Sequence, residues 1–157
     1  MTDDDVPTLY EWMGGRDALQ RLFVRFYERV PADRLLGPVF ASMPPGHAER
    51  VAAFVGEVVG GPPAYSTEHG GHPAMVRKHL GRTLSEPQRR RWMELLLDCA
   101  DEVGIVADPE FRSALVAYLE WGSRLAVVNS QPGSEATEGV PMPRWGWGIP
   151  GGPYRGP

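Results

Sequence analysis

The sequence predicts an all-α domain followed by a tail. Two observations carry the prediction for the domain: apolar residues recur at helical spacing in segment after segment, and the alternation expected of strands is weak throughout. A third sets the boundary. From Gln131 to Pro157 there are six prolines and seven glycines in 27 residues, a composition that cannot pack a core of its own. Residues 1–7 read as a flexible acidic lead-in, 8–130 as the domain, and 131–157 as an extended or disordered tail.

The clearest helix spans 16–30, where Leu19, Leu22, Phe23, Phe26, Tyr27 and Val30 fall on one face between Gly14–Gly15 and Pro31. Asp33 is placed to cap a two-turn helix reaching Phe40, limited by Pro38. Pro44, Pro45 and Gly46 form a turn, after which Val51, Phe54, Val55 and Val58 mark a helix from His47 to about Val59. Gly60, Gly61, Pro62 and Pro63 end it, and 62–74 reads as irregular. A short helix from Pro73 to about Leu80 carries His79. Ser85 and Pro87 open a long helix over 86–103, with Trp92, Leu95, Leu96, Cys99 and Val103 inward. Asp108 and Pro109 open the last helix, with Phe111, Leu115, Tyr118, Leu119 and Leu125.

Composition excludes several functions. A net charge of -4 argues against nucleic acid, which asks for a dense basic face; Arg89, Arg90 and Arg91 read as a solvated helix surface. No apolar run reaches the ~20 residues of a membrane span, and the N-terminus has no signal pattern. Cys99 is the only cysteine, which rules out an intrachain disulfide, and it reads as a small core residue. A cytoplasmic protein is expected. HExxH, GxSxG, a P-loop and GxGxxG are all missing, and His47, His69, His72 and His79 have no zinc-finger spacing.

A haem site asks for a neutral imidazole to bind iron, an apolar slot, and cations at its mouth. His79, just after Arg77 and Lys78, satisfies the first and third demands, although a lone His on a short helix is more often a surface or capping residue. His72 reads as turn-stabilising and His69 as exposed.

The order of motifs resembles the group II truncated haemoglobins. RFYERV (Arg25–Val30) looks like their second globin helix. VF (Val39–Phe40) is similar to the region where an aromatic packs on the porphyrin. GGPPAYS (Gly60–Ser66) resembles their GGPxxYS segment. GHP (Gly71–Pro73) with His79 resembles the proximal segment, and Trp92 falls where this group keeps a distal tryptophan. YLE (Tyr118–Glu120) and VNS (Val128–Ser130) resemble the last helix and its end. The resemblance covers about residues 8–130.

It implies a two-over-two helical sandwich, with a short proximal helix, around a non-covalent haem b. His79 would be the iron ligand. Tyr27 and Trp92 would face the distal side, and Phe40, Val51, Phe54 and Met75 would line the pocket. Arg50, Arg77 and Lys78 would meet the propionates. His47 aligns with the distal histidine of vertebrate globins: it either touches the ligand and gates the pocket or faces solvent. Without the resemblance, Tyr27 and Trp92 would read as core.

The implied ligands are O2, NO, CO or peroxide, with an unidentified reductase as partner. Two distal donors, each stabilising a bound, partly negative ligand by ~1–3 kcal/mol, slow its release. That favours redox chemistry such as NO oxidation, with weak peroxidase activity at most, over O2 transport; a gas sensor or ligand-storage protein is the alternative. In the tail, Trp145, Trp147 and Tyr154 are set to dock on the domain, on a reductase or on a second copy in a homodimer; a mobile appendage is the alternative.

Overall fold

The computed structural model describes residues 5–135 and 139–156. Among them are seven α-helices and no strand: α1 (Leu9–Met13), α2 (Gly15–Arg29), α3 (His47–Val58), α4 (Ala64–His69), α5 (Gly71–His79), α6 (Glu86–Glu102) and α7 (Pro109–Ser130). Helix α2 packs on α3 and α6 on α7; α2 against α6 joins the pairs, and α5 leans on α7. This is the two-over-two sandwich. Its core holds Leu19, Leu22, Phe23 and Phe26 of α2, Leu95, Leu96 and Cys99 of α6, and Phe111 and Leu115 of α7.

The helix ends follow local chemistry. Ser85 and Gln88 form a reciprocal capping box at the start of α6. The Asp108 carboxylate accepts from the Phe111 N–H at the start of α7 and also from the Trp12 indole N–H at 2.8 Å, so one side chain caps a helix and ties α1 to it. The GGPP segment has a steric reason. A Cβ on Gly60 would stand 2.7 Å from the Thr8 Cβ, and one on Gly61 would stand 2.7 Å from both the Gly56 carbonyl oxygen and the Tyr10 ring. The chain therefore turns out of α3 directly beneath α1.

Three segments differ from the sequence expectation. Residues 33–40 form no helix. A 3-10 turn over Val30–Ala32 runs into successive turns, and the Asp33 carboxylate accepts from the N–H groups of Leu35 and Leu36. A Cβ on Gly37 would stand 2.8 Å from the Asp33 carbonyl oxygen, and Pro38 adds no N–H. The stretch read as irregular contains α4, and α5 begins two residues before Pro73. The arginine run is a solvated face only at Arg90, whose side chain is 76% exposed: Arg89 is buried, bonded to Glu86 at 2.6 Å and Glu120 at 2.9 Å, while Arg91 reaches Asp33 at 2.6 Å.

The described tail residues carry no helix; Trp145 and Trp147 lie against the domain, whereas Ile149 and Tyr154 are exposed. The Trp145 N–H donates to the Val58 carbonyl at 2.8 Å, and the Trp147 indole N–H donates to the Pro7 carbonyl at 2.7 Å. The Trp147 ring meets Trp12 and Phe111 edge-on, with centroids 6.2 and 6.4 Å away. The tail thus completes a hydrophobic surface that belongs to the domain. Among the described residues, no helix is long and apolar enough to cross a membrane.

Trp147→Ala removes those edge contacts and one hydrogen bond from a half-buried site. It should cost about 2 kcal/mol, lowering Tm by about 6 °C. Thermal unfolding followed by circular dichroism checks this; an unchanged Tm would mean that the tail adds nothing to the domain.

Candidate functional site

An apolar slot of about 340 Å³ opens between α3 and α5 and is closed by α2, α6 and α7. That volume lies within the range of small-molecule and cofactor sites. Its walls include Leu36, Phe40, Val51, Phe54, Met75 and Val76. Phe40 is delivered by the turns after Val30, Val51 and Phe54 by successive turns of α3.

His79 ends α5. Its Nδ1 lies 2.9 Å from the Met75 carbonyl oxygen, one turn back. A carbonyl only accepts, so Nδ1 carries the proton and Nε2 is left with a bare lone pair. Burial depresses the affinity of His79 for a second proton, and the Arg82 and Lys78 charges add to this against the opposing pull of the Met75 hydrogen bond. The residue is a neutral imidazole with one free nitrogen, as a metal ligand must be.

Tyr27 from α2, His47 from α3 and Trp92 from α6 line the same slot. The His47 Nε2 and Tyr27 hydroxyl share a hydrogen bond of 3.2 Å whose direction is set by the His47 tautomer. Their rings meet edge-on with centroids 4.8 Å apart, and Phe40 packs on Tyr27 at 5.4 Å. Phe26 sets both neighbours: it meets Tyr27 at 4.9 Å and Trp92 at 6.1 Å. Burial pushes the Tyr27 phenol well above its ordinary range, so it stays an O–H. Burial, with the nearby Arg50, Lys78 and Arg82 charges, pulls His47 down to about 4.

The slot therefore brings together Tyr27, Phe40, His47, Arg50, Val51, Phe54, Met75, Lys78, His79 and Trp92 of the residues expected from sequence. His47 turns inward rather than to solvent. Arg77 does not line the slot; Arg82 does, with its Nε donating to the Lys78 carbonyl at 2.7 Å. His72 is buried, stacked on Phe54 and part of the wall, and His69 is half-buried against Tyr65. Tyr118 and Trp121 of α7 also line the slot and were not singled out. Tyr118 read as core, and Trp121 is a residue that helical spacing alone leaves unassigned.

A haem fits these residues: a bare imidazole nitrogen, an apolar slot, and cationic Arg50, Lys78 and Arg82 along its edge meet its three demands. One cysteine leaves no CxxCH for covalent attachment.

The bacterial-like globin family model matches residues 8–121. The group 2 truncated hemoglobin YjbI of Bacillus subtilis (strain 168) is 34% identical over 117 residues, spanning 74% of this chain and 86% of that protein. The solved structure of the truncated oxygen-avid haemoglobin from Bacillus subtilis superposes with a TM-score of 0.68 at 34% identity, covering 77% of this chain and 99% of that one. The thermostable hemoglobin of Thermobifida fusca gives a TM-score of 0.66 at 32% identity, covering 77% and 97%.

Without a bound group, His47, His72 and His79 all hold their protons less tightly than in an unfolded chain. The unfolded state then binds more protons below about pH 6.5, so stability falls as pH drops. For His47 the loss runs from about pH 6.5 down to about 4. His47→Gln should flatten that limb, as read from urea unfolding of the haem-free protein between pH 4.5 and 7.5; a curve parallel to wild type would overturn the assignment.

Proposed function

This chain belongs to the bacterial-like globins, as a group II truncated haemoglobin, and we propose that its slot serves redox chemistry on O2, NO or a peroxide rather than O2 transport. Membership of the family carries the coarser part: a haem b held without covalent attachment, at which a diatomic gas such as O2 is bound. The haem, when bound, supplies an iron that takes the gas and exchanges electrons with it.

The chain's own residues do the rest. His79 presents Nε2 to the iron, and its Nδ1 bond to the Met75 carbonyl holds the ring at one angle. Phe40, Val51, Phe54 and Met75 exclude water from the slot. Arg50, Lys78 and Arg82 would hold the propionates, Arg82 lining the slot where Arg77 does not. Tyr27, His47 and Trp92 stand ready to donate hydrogen bonds to a bound ligand. Neutral His47 also accepts, so it holds the Tyr27 proton or gives up its own without a change of net charge.

The observation that carries the redox reading is that Tyr27, His47 and Trp92, each able to donate a hydrogen bond, line one slot together with the apolar side chains of Phe40, Val51, Phe54 and Met75. In so dry a site each donor counts for more than it would in water, and a ligand held this way leaves slowly. A slow release suits oxidation of NO by bound O2 and defeats delivery. Peroxidase activity stays weak, because Nδ1 of His79 meets a backbone carbonyl and not a carboxylate, and so lacks the partner that raises ligand basicity. A reductase that restores the ferrous form is the partner this chemistry requires.

The test is spectroscopic. The haem-loaded protein should show a Soret band that shifts on reduction and again with CO; His79→Ala should lose it unless imidazole is supplied. Trp92→Phe should release O2 about tenfold faster, the equivalent of ~1.4 kcal/mol. A wild-type off-rate in that variant would end the donor argument, and a gas sensor or storage protein would become the better reading.

A further inference from the structure

Ligand binding leaves the tail ring Trp145, beside the slot, unexplained. It stands with its centroid 5.7 Å from Tyr118 and 5.7 Å from Trp121, which are 6.5 Å from each other. Tyr118 and Trp121 both line the slot, and Trp145 does not. Trp121 is 41% exposed, and Trp145 is half-buried at the surface, pinned by its N–H to the Val58 carbonyl. Three easily oxidised rings in mutual contact therefore run from the interior of the slot to solvent.

We propose that Tyr118, Trp121 and Trp145 form a one-electron route between the slot and the tail surface. Through it a small donor in solution, an ascorbate or a phenol, reduces oxidising equivalents in the slot without entering it. The inference rests on the redox reading above. The balance is simple. A hydroperoxide ROOH takes two electrons and two protons and yields ROH and water as its O–O bond breaks. The electrons leave one at a time from an indole, leaving a radical cation at Trp121 and then at Trp145. The external donor refills each vacancy and releases the proton it loses to solvent.

Tyr118 is a bridging ring, not a resting place. Its ring, 5.7 Å from Trp145 and 6.5 Å from Trp121, couples the slot to both indoles. The indoles need no proton acceptor to carry the charge, and their exposure at the tail places it where a donor can reach.

The same tail carries its own control. Trp147 is two residues further on and also half-buried, but its ring contacts are Trp12 and Phe111, neither of which lines the slot. Haemin-loaded protein is challenged with hydrogen peroxide in the absence of a donor, and its peptides are mapped by mass spectrometry. The route predicts oxygen added at Trp121 and Trp145 at least fivefold above Trp147, with ascorbate suppressing it. Equal oxidation at Trp145 and Trp147 would overturn it.

A second arm does not depend on peroxide chemistry. Protein loaded with zinc protoporphyrin is photo-oxidised with an external electron acceptor, and the tryptophan radical is followed by transient absorption. Trp145→Phe keeps an aromatic ring at that position. The route predicts that it abolishes the long-lived radical while haemin affinity stays at the wild-type value. A radical of undiminished yield and lifetime would refute it. Failure of the protein to take up either porphyrin would instead overturn the haem reading on which the route stands.

Discussion

The hydrogen bond between His79 Nδ1 and the Met75 carbonyl decides what the slot can hold. It costs α5 nothing, because Met75 lies one turn back on the same helix and its carbonyl is within reach of a side chain at the helix end. By fixing the proton on Nδ1 it leaves Nε2 with a lone pair in an apolar space, which is a poor place for any hydrogen bond and a good place for a metal. The rest of the slot comprises apolar walls from α3 and α5, cations at the edge, and polar side chains brought in from α2, α3 and α6.

Holding so many elements around an apolar slot requires a frame that does not depend on the slot's contents. Arg89 supplies part of it. Buried between α6 and α7, it answers Glu86 on its own helix and both Glu120 and Ser123 on the neighbouring one. A buried guanidinium tolerates burial only when its donors are used, and here they are used to fix the spacing of the helices that carry Trp92 and Trp121. Asp33 does similar work at the other edge. It organises the turns that deliver Phe40 and pairs with Arg91 of α6, so Phe40 and the helix that carries Trp92 are positioned by one carboxylate.

Much of this was legible in the sequence where periodicity is long. Helices α2, α3, α6 and α7 each repeat an apolar face over three turns or more; α6 and α7 open on the side-chain caps Ser85 and Asp108, and α2 and α3 follow glycines. The misses have separate causes. The segment 33–40 has a capping aspartate and two leucines, but Gly37 and Pro38 fit a tighter turn than a helix. Helix α4 is six residues long, too short for a period to show. His47 stands at a helix start, where sequence leaves its orientation open, and the Tyr27 hydroxyl settles it. Arg77 and Arg82 differ only in which side of the helix end they leave. The tail carries no helix or strand among its described residues, and the half-buried contacts of Trp145 and Trp147 with the domain are something composition cannot show, because it counts only what a segment brings itself.

The two sides of the slot also explain each other. A proximal histidine whose Nδ1 meets a neutral carbonyl is less basic than one paired with a carboxylate, so it pushes less electron density toward a bound ligand. In the proposed reading, stabilisation of a partly negative ligand then falls to Tyr27, His47 and Trp92, which line the same slot. Because burial keeps Tyr27 protonated and His47 neutral through the physiological range, those groups present dipoles and not charges. They favour a ligand that gathers negative charge without holding a countercharge in place when it is absent. The Tyr27 hydroxyl and the His47 Nε2 meet each other's hydrogen-bonding demand within the slot.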